Sequence, residues 1–156
     1  MLAGMRWNHA WLCLGPLLAY HLDVLLTLIG QPDAYWAGHL DQAREGNPFP
    51  RWLMHQHPLL FPLAALLWLP TFCAVILWLP ARFAKWVAFL IQMGHTLAAG
   101  SWLVELAPGG YLAAVPFLYL SVKLMEWTWR RVPSDWPQDR TRRVASEVQS
   151  PVRGGH

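Results

Sequence analysis

Apolar residues gather into four runs, Ala10 to Ile29, Pro58 to Leu79, Phe83 to Leu106 and Gly109 to Trp129, with polar stretches between and after them. Each run comes close to the ~20 residues with which an α-helix, rising about 1.5 Å per residue, crosses ~30 Å of hydrocarbon. The pattern predicts an all-α polytopic membrane protein, with a four-helix transmembrane bundle over residues 1–131 and a flexible basic cytoplasmic tail over 132–156. The first run is long for a signal-peptide core and no small-x-small cleavage site follows Gly30, so it reads as an uncleaved anchor. In the second run Pro70 is expected to kink the helix and free a carbonyl near Leu66. The third run carries Gly94, Ala98 and Ser101 with Ala99 and Gly100 beside them, small residues that let backbones approach and so place this helix at the bundle centre. The fourth follows a tight Pro108-Gly109-Gly110 turn, and its Glu126 is spaced to pair with Lys123 and Arg130.

Composition supports lipid as the solvent. With 55% hydrophobic and 13% charged residues, the chain has too little polar material to enclose all its apolar runs in water. The mean hydropathy of +0.25 is modest because the loop from Gln31 to His57 and the stretch after Arg130 are polar. Of the 12 Lys and Arg residues, only Arg44 and Arg51 fall between the first two runs. The others (Arg6, Arg82, Lys85, Lys123, Arg130, Arg131, Arg140, Arg142, Arg143 and Arg153) fall on the opposite side, which orients both termini to the cytoplasm of a multi-pass inner-membrane protein. This clustering at membrane ends also accounts for the pI near 9.2, and no nucleic-acid-binding module is visible. Many of the 11 Trp residues, among them Trp7, Trp11, Trp52, Trp78, Trp86, Trp127 and Trp129, sit near run ends as an interfacial belt. Cys13 and Cys73 lack metal-ligand spacing and read as small buried hydrophobes.

Ionisable groups inside the runs carry the candidate chemistry. Asp23 lies about 9 Å below the outer end of the first run, with Thr27 one turn above and Tyr20 one turn below on the same face. A carboxylate at that depth has to face the bundle, pair or take a proton. His95 on the third run, with Gln92 three residues earlier, lies near mid-depth, about 16 Å below the outer edge, so an Asp23–His95 hydrogen bond is feasible where the two helices touch. The pair would serve as a polar clasp or as the proton path of a carrier. His21 and His95 also raise haem ligation, which requires both imidazoles to face one cavity.

The outer loop is the richest in polar groups. Asp33 is placed to cap an amphipathic helix from Ala34 to about Arg44 lying on the outer surface, which Gly46-Asn47-Pro48-Phe49-Pro50 would then end. His55 and His57, in an extended segment before Pro58, point the same way and are candidate metal ligands together with His39, Asp41 and Glu45, with Glu105 emerging on the same side. Such a nitrogen and oxygen set suits zinc and could activate water for hydrolysis.

Asp23-x-x-x-Thr27 in the first run and Glu45-x-Asn47-Pro48 ahead of the second resemble a family of small uncharacterised prokaryotic membrane proteins. The resemblance covers about residues 17–106 and implies a bundle of three or four helices with an intramembrane acid and an Asn-Pro helix start. It departs where the family often has Asn three residues before the acid, since this chain has Tyr20. It directs attention to Asp23, Thr27, Glu45 and Asn47 without implying a reaction. Lacking a catalytic signature, the chain is expected to act as a non-enzymatic subunit or scaffold among other membrane protein subunits. The alternatives are a metal-dependent hydrolase at the outer face, and a proton-linked carrier resting on Asp23 and His95; Asp23, His95 and Glu45 are the candidate catalytic residues.

Overall fold

Why this sequence makes helices is visible at the ends of each element in the computed structural model, which describes residues 7–132. Helix α1, Ala10–Ile29, follows a short 3-10 turn, Trp7–His9, and ends at Gly30, whose N–H donates to the Leu26 carbonyl at 2.8 Å. A short α2, Asp33–Trp36, and a nine-residue α3, Pro48–Gln56, occupy the loop. Three longer helices follow: α4, Leu60–Trp78, α5, Ala81–Leu106, and α6, Tyr111–Arg131. Every regular element among the described residues is helical. The expected tail over 132–156 lies, apart from Val132, outside the described residues, as does Arg6.

Helix α5 is the centre of the bundle, with α1, α4 and α6 all packed against it and α1 also touching α4 and α6. The residues that permit this are small: Ala81, Ala84, Ala88, Ala99 and Gly100 are buried along its length. Trp102 reaches so close to α1 that a Cβ on Gly30 would lie 2.4 Å from its ring. At the turn into α6, Gly109 has φ +76°, a left-handed conformation that favours glycine. Gly110 sits against the Leu103 carbonyl, 1.9 Å from where a Cβ would stand.

Three helical segments, Trp7–Ile29, Leu60–Trp78 and Ala81–Leu106, are long and apolar enough to cross a membrane. The sequence led us to expect four. Helix α6 has the length, at 21 residues, but Lys123, Glu126, Arg130 and Arg131 in its second half lower its apolar character. Those charges pair as their spacing predicts: Glu126 accepts from Lys123 at 3.2 Å and also from Arg130.

The loop departs from expectation in register. Residues 34–44 do not form one amphipathic helix, because the chain turns at Gly38, φ +104°, and only α2 and a 3-10 turn, Leu40–Gln42, form there. Asp33 is the first residue of α2 and Pro32 its cap, so Asp33 does not cap through its side chain. The helix forms one segment later. Asn47 caps α3 by accepting from the Phe49 N–H at 3.2 Å, and Pro48 occupies the first turn, where a missing N–H costs nothing. Met54 of α3 is fully buried and clusters with Tyr35 and Phe61, so tertiary packing fixes α3 where local sequence suggested a turn.

Candidate functional site

Asp23 and His95 meet. Helix α1 turns Asp23 toward α5, and the carboxylate Oδ2 lies 2.8 Å from Nδ1 of His95. The side chains remain only 14% and 25% exposed respectively. Because a carboxylate oxygen accepts, Nδ1 carries the proton, and Nε2 is left without a hydrogen-bond partner among the described residues. The edge of the Tyr20 ring packs on His95 with centroids 4.8 Å apart, so the imidazole is held by a hydrogen bond on one side and an aromatic ring on another.

This pair forms part of the wall of a cavity of about 880 Å³. Helix α1 contributes Tyr20, Asp23, Val24 and Thr27, and α5 contributes Leu90, Ile91, Gly94, His95 and Ala98. Opposite them stand Phe61, Ala64, Ala65, Trp68 and Thr71 of α4, while Glu45, Asn47, Phe49, Pro50 and Leu53 close the loop end. Leu67, Trp68 and Leu90 are more than half exposed, which marks the rim between α4 and α5. Polar groups are few and the remaining surface is apolar, the usual make-up of a site for a small molecule.

Hydrogen bonds fix the loop over the cavity. Buried Gln31 donates to the carbonyls of Thr27 and Arg44, both at 2.7 Å, and accepts from the Arg44 N–H at 2.7 Å. This ties the residue before Glu45 to the end of α1. Glu45 then accepts from the Asn47 N–H at 2.7 Å, and Arg51 Nε donates to the Glu45 carbonyl at 2.5 Å. Burial pushes the Glu45 carboxyl above its ordinary range, and the nearby charge of Asp23 acts in the same direction. The Asn47 and Gly46 N–H groups and the Arg51 guanidinium oppose the shift without cancelling it.

A consequence for stability follows from the sign. With its folded-state pKa raised, Glu45 binds its proton more tightly folded than unfolded, so the protein loses stability as pH rises through the ordinary carboxylate range toward the raised value. Glu45→Gln keeps an acceptor for Asn47 and removes the ionisation. The variant is expected to gain on the parent in denaturation midpoint as pH rises from the ordinary Glu value of about 4.3 upward. A constant difference across that range would remove burial of this carboxyl as the cause.

The other candidate ligands disperse. His39, Asp41, His55 and His57 are all exposed, and among the described residues no three His, Cys, Asp or Glu side chains gather as a metal site. His55 lies within α3 rather than in an extended segment, while His57 terminates the helix and its Nδ1 accepts from the Leu59 N–H at 3.1 Å. The two imidazoles therefore do not share the extended geometry that made them candidates for zinc. Glu105 pairs with Arg44 at 3.0 Å on the surface. His21 is exposed and donates from Nδ1 to the Leu17 carbonyl at 2.7 Å, so it does not face the cavity with His95 as haem ligation would need. The residues singled out by the resemblance, Asp23, Thr27, Glu45 and Asn47, all line this cavity. Comparison with family models, with curated proteins and with solved structures gave no match.

Proposed function

We propose that this is an integral membrane protein that binds a small, largely apolar molecule in the cavity beside α1, α4 and α5, with Asp23–His95 as its polar anchor and proton-exchanging group. In this reading α6 crosses the bilayer together with the three more apolar helices, its charged end snorkelling at the cytoplasmic face where both termini lie. The cavity opens toward lipid between α4 and α5, so a hydrophobic ligand enters from the bilayer. The observation that carries the reading is the hydrogen-bonded Asp23–His95 pair on the wall of a cavity of about 880 Å³. The carboxylate fixes the tautomer, and Nε2 is then free to accept a proton or hydrogen bond from a bound head group.

This reading is favoured over the alternatives by physical considerations. A helix clasp needs only contact, and a core built for packing alone is close-packed, since empty volume costs stability. A subunit or scaffold role does not call for the cavity, whereas binding does. The carrier reading uses the same pair but requires alternating access, for which the chain offers no repeated halves. A metal-dependent hydrolase would need ligands that converge, and the exposed histidines of the loop do not.

Native mass spectrometry of the full chain released from membranes in mild detergent tests the proposal. We expect a bound molecule that survives in the parent protein and is weakened at least tenfold, about 1.4 kcal/mol, by Asp23→Asn or His95→Leu while helicity is retained. A parent protein that carries nothing and binds nothing saturably from a lipid extract sinks the proposal. Stoichiometric recovery of a second membrane protein in place of the small molecule would return the scaffold role to first place.

A further inference from the structure

The lining of the cavity is one-sided in charge. Asp23 and Glu45 both contribute to it, and the charge of Asp23 is near enough to disfavour ionisation of Glu45. No Lys or Arg side chain is among the lining residues. Of the two loop arginines, Arg44 pairs with Glu105 at 3.0 Å, and Arg51, whose Nε donates to the Glu45 backbone carbonyl at 2.5 Å, offsets the Glu45 charge in part from outside the lining. His95 is the one basic side chain in the wall, and its proton-bearing Nδ1 is committed to Asp23. The lining therefore sets two carboxyl groups against one imidazole, and Arg51, outside the lining, does not cancel the effect of burial and of Asp23 on Glu45.

Resting on the binding role proposed above, we infer that the ligand is a cationic amphiphile: an ammonium group on an apolar body, with the ammonium between Asp23 and Glu45. An anionic head group would meet two carboxyl groups and no fixed positive charge among the lining residues, an arrangement that costs rather than gains on desolvation. A neutral head group would satisfy hydrogen bonds but leave the mutual repulsion of the acids in place. An ammonium relieves that repulsion, donates up to three hydrogen bonds, and gains from aromatic faces where they approach. Tyr20, Phe61 and Trp68 supply such rings in the same lining. Ala64, Leu67, Leu90 and Ile91 leave an aliphatic path for the body of the molecule toward the rim. The volume, about 880 Å³, lies within the range of sites that enclose small ligands, roughly 300–1,000 Å³.

Calorimetric titration of the full chain in neutral-detergent micelles with decylamine, decanol and decyl sulfate decides the matter. Titration of Gly94→Phe, whose new ring projects into the cavity and obstructs it, measures partition into the micelle. We expect saturable binding of decylamine at least tenfold tighter than decanol and none of decyl sulfate. Asp23→Asn and, independently, Glu45→Gln are expected to weaken decylamine about tenfold (about 1.4 kcal/mol) and to weaken decanol less. Because Glu45 lies in the loop, its variant reports on charge even where a substitution within α1 disturbs folding. Equal binding of decanol and decylamine, or binding of decyl sulfate, overturns the amine class while the cavity still stands as a binding site. If none of the three binds above the blocked variant, the inference falls, and with no endogenous molecule either, so does the binding role itself.

Discussion

Replacing Gly94 with Phe is expected to abolish ligand binding, by about 100-fold or more, without lowering thermal stability. A Cβ built on Gly94 meets nothing within 4 Å, so the position faces open space although it lies mid-way along α5. That space is the cavity, which Gly94 lines next to His95 and one turn before Ala98. A phenyl ring there has room to enter and stands where the ligand would lie. A loss of 100-fold in affinity corresponds to about 2.7 kcal/mol. The folded protein gains instead, since glycine inside a helix is destabilising by roughly 0.5–1 kcal/mol relative to alanine and the new ring covers apolar surface. Binding by calorimetry and thermal unfolding by circular dichroism read the two effects separately. Loss of both together would mean that Gly94 is needed for packing, and retained affinity would place the ligand elsewhere. The expected split is the trade-off common to binding sites, in which volume left unfilled for a ligand costs stability.

Much of the helical framework was legible because the apolar runs are long and their boundaries chemical. Proline and glycine at Pro80 and at Pro108-Gly109-Gly110 separate the last three runs, and helices α4, α5 and α6 start within a few residues of those expected. The Asp23–His95 contact was feasible from the sequence rather than fixed by it: at a constant rise per residue the two lie about 9 and 16 Å below the outer ends of their runs, and the packing of α1 on α5 brings them together. What local pattern could not supply was anything decided by a partner far along the chain. Pro48 and Pro50 look like breakers, yet the Asn47 cap and burial of Met54 against Tyr35 and Phe61 make their segment the one sizeable helix of the loop. With α3 in place, His55 and His57 leave the extended geometry on which a shared metal depended. Gln31 gave no periodic signal at all; its role comes from two backbone carbonyls thirteen residues or less away that only the folded loop brings within reach. The small residues of α5 were read as one packing seam, but they divide. Ala99 and Gly100 are buried in the bundle, whereas Gly94 and Ala98 face the cavity. A glycine that permits helix contact and one that leaves a site open look identical in sequence.

Gly15 is the opposite case, and Gly15→Ala is expected to destabilise the protein by about 2–4 kcal/mol through one displaced side chain. Its Cβ would stand 2.0 Å from Oε1 and 2.5 Å from Cδ of Gln92. Gln92 is 1% exposed and crosses the bundle to α6, donating through Nε2 to the Ser121 carbonyl at 2.7 Å and to its hydroxyl at 3.0 Å. Thr96 Oγ1 shares a 2.7 Å hydrogen bond with the same hydroxyl, so three helices are joined where α1 lies against the amide. A methyl on Gly15 forces Gln92 to swing away or α1 to withdraw. Swinging leaves buried polar atoms on α5 and α6 unpaired, and withdrawal separates packed faces. A double-mutant cycle with Gln92→Ala distinguishes the cause: shortening the glutamine vacates the space, so the pair should be less destabilised than the sum of the two single changes. Additive losses would mean that the methyl meets an obstacle other than Gln92. The same substitution should reach the site, because Gln92 and His95 lie one turn apart on α5 and Gly15 and Asp23 share α1. Any withdrawal of α1 lengthens the 2.8 Å Asp23–His95 contact. Gly15→Ala is therefore expected to weaken ligand binding as well, although its side chain touches neither the cavity nor the dyad, and Gln92→Ala in the same molecule should recover part of that affinity.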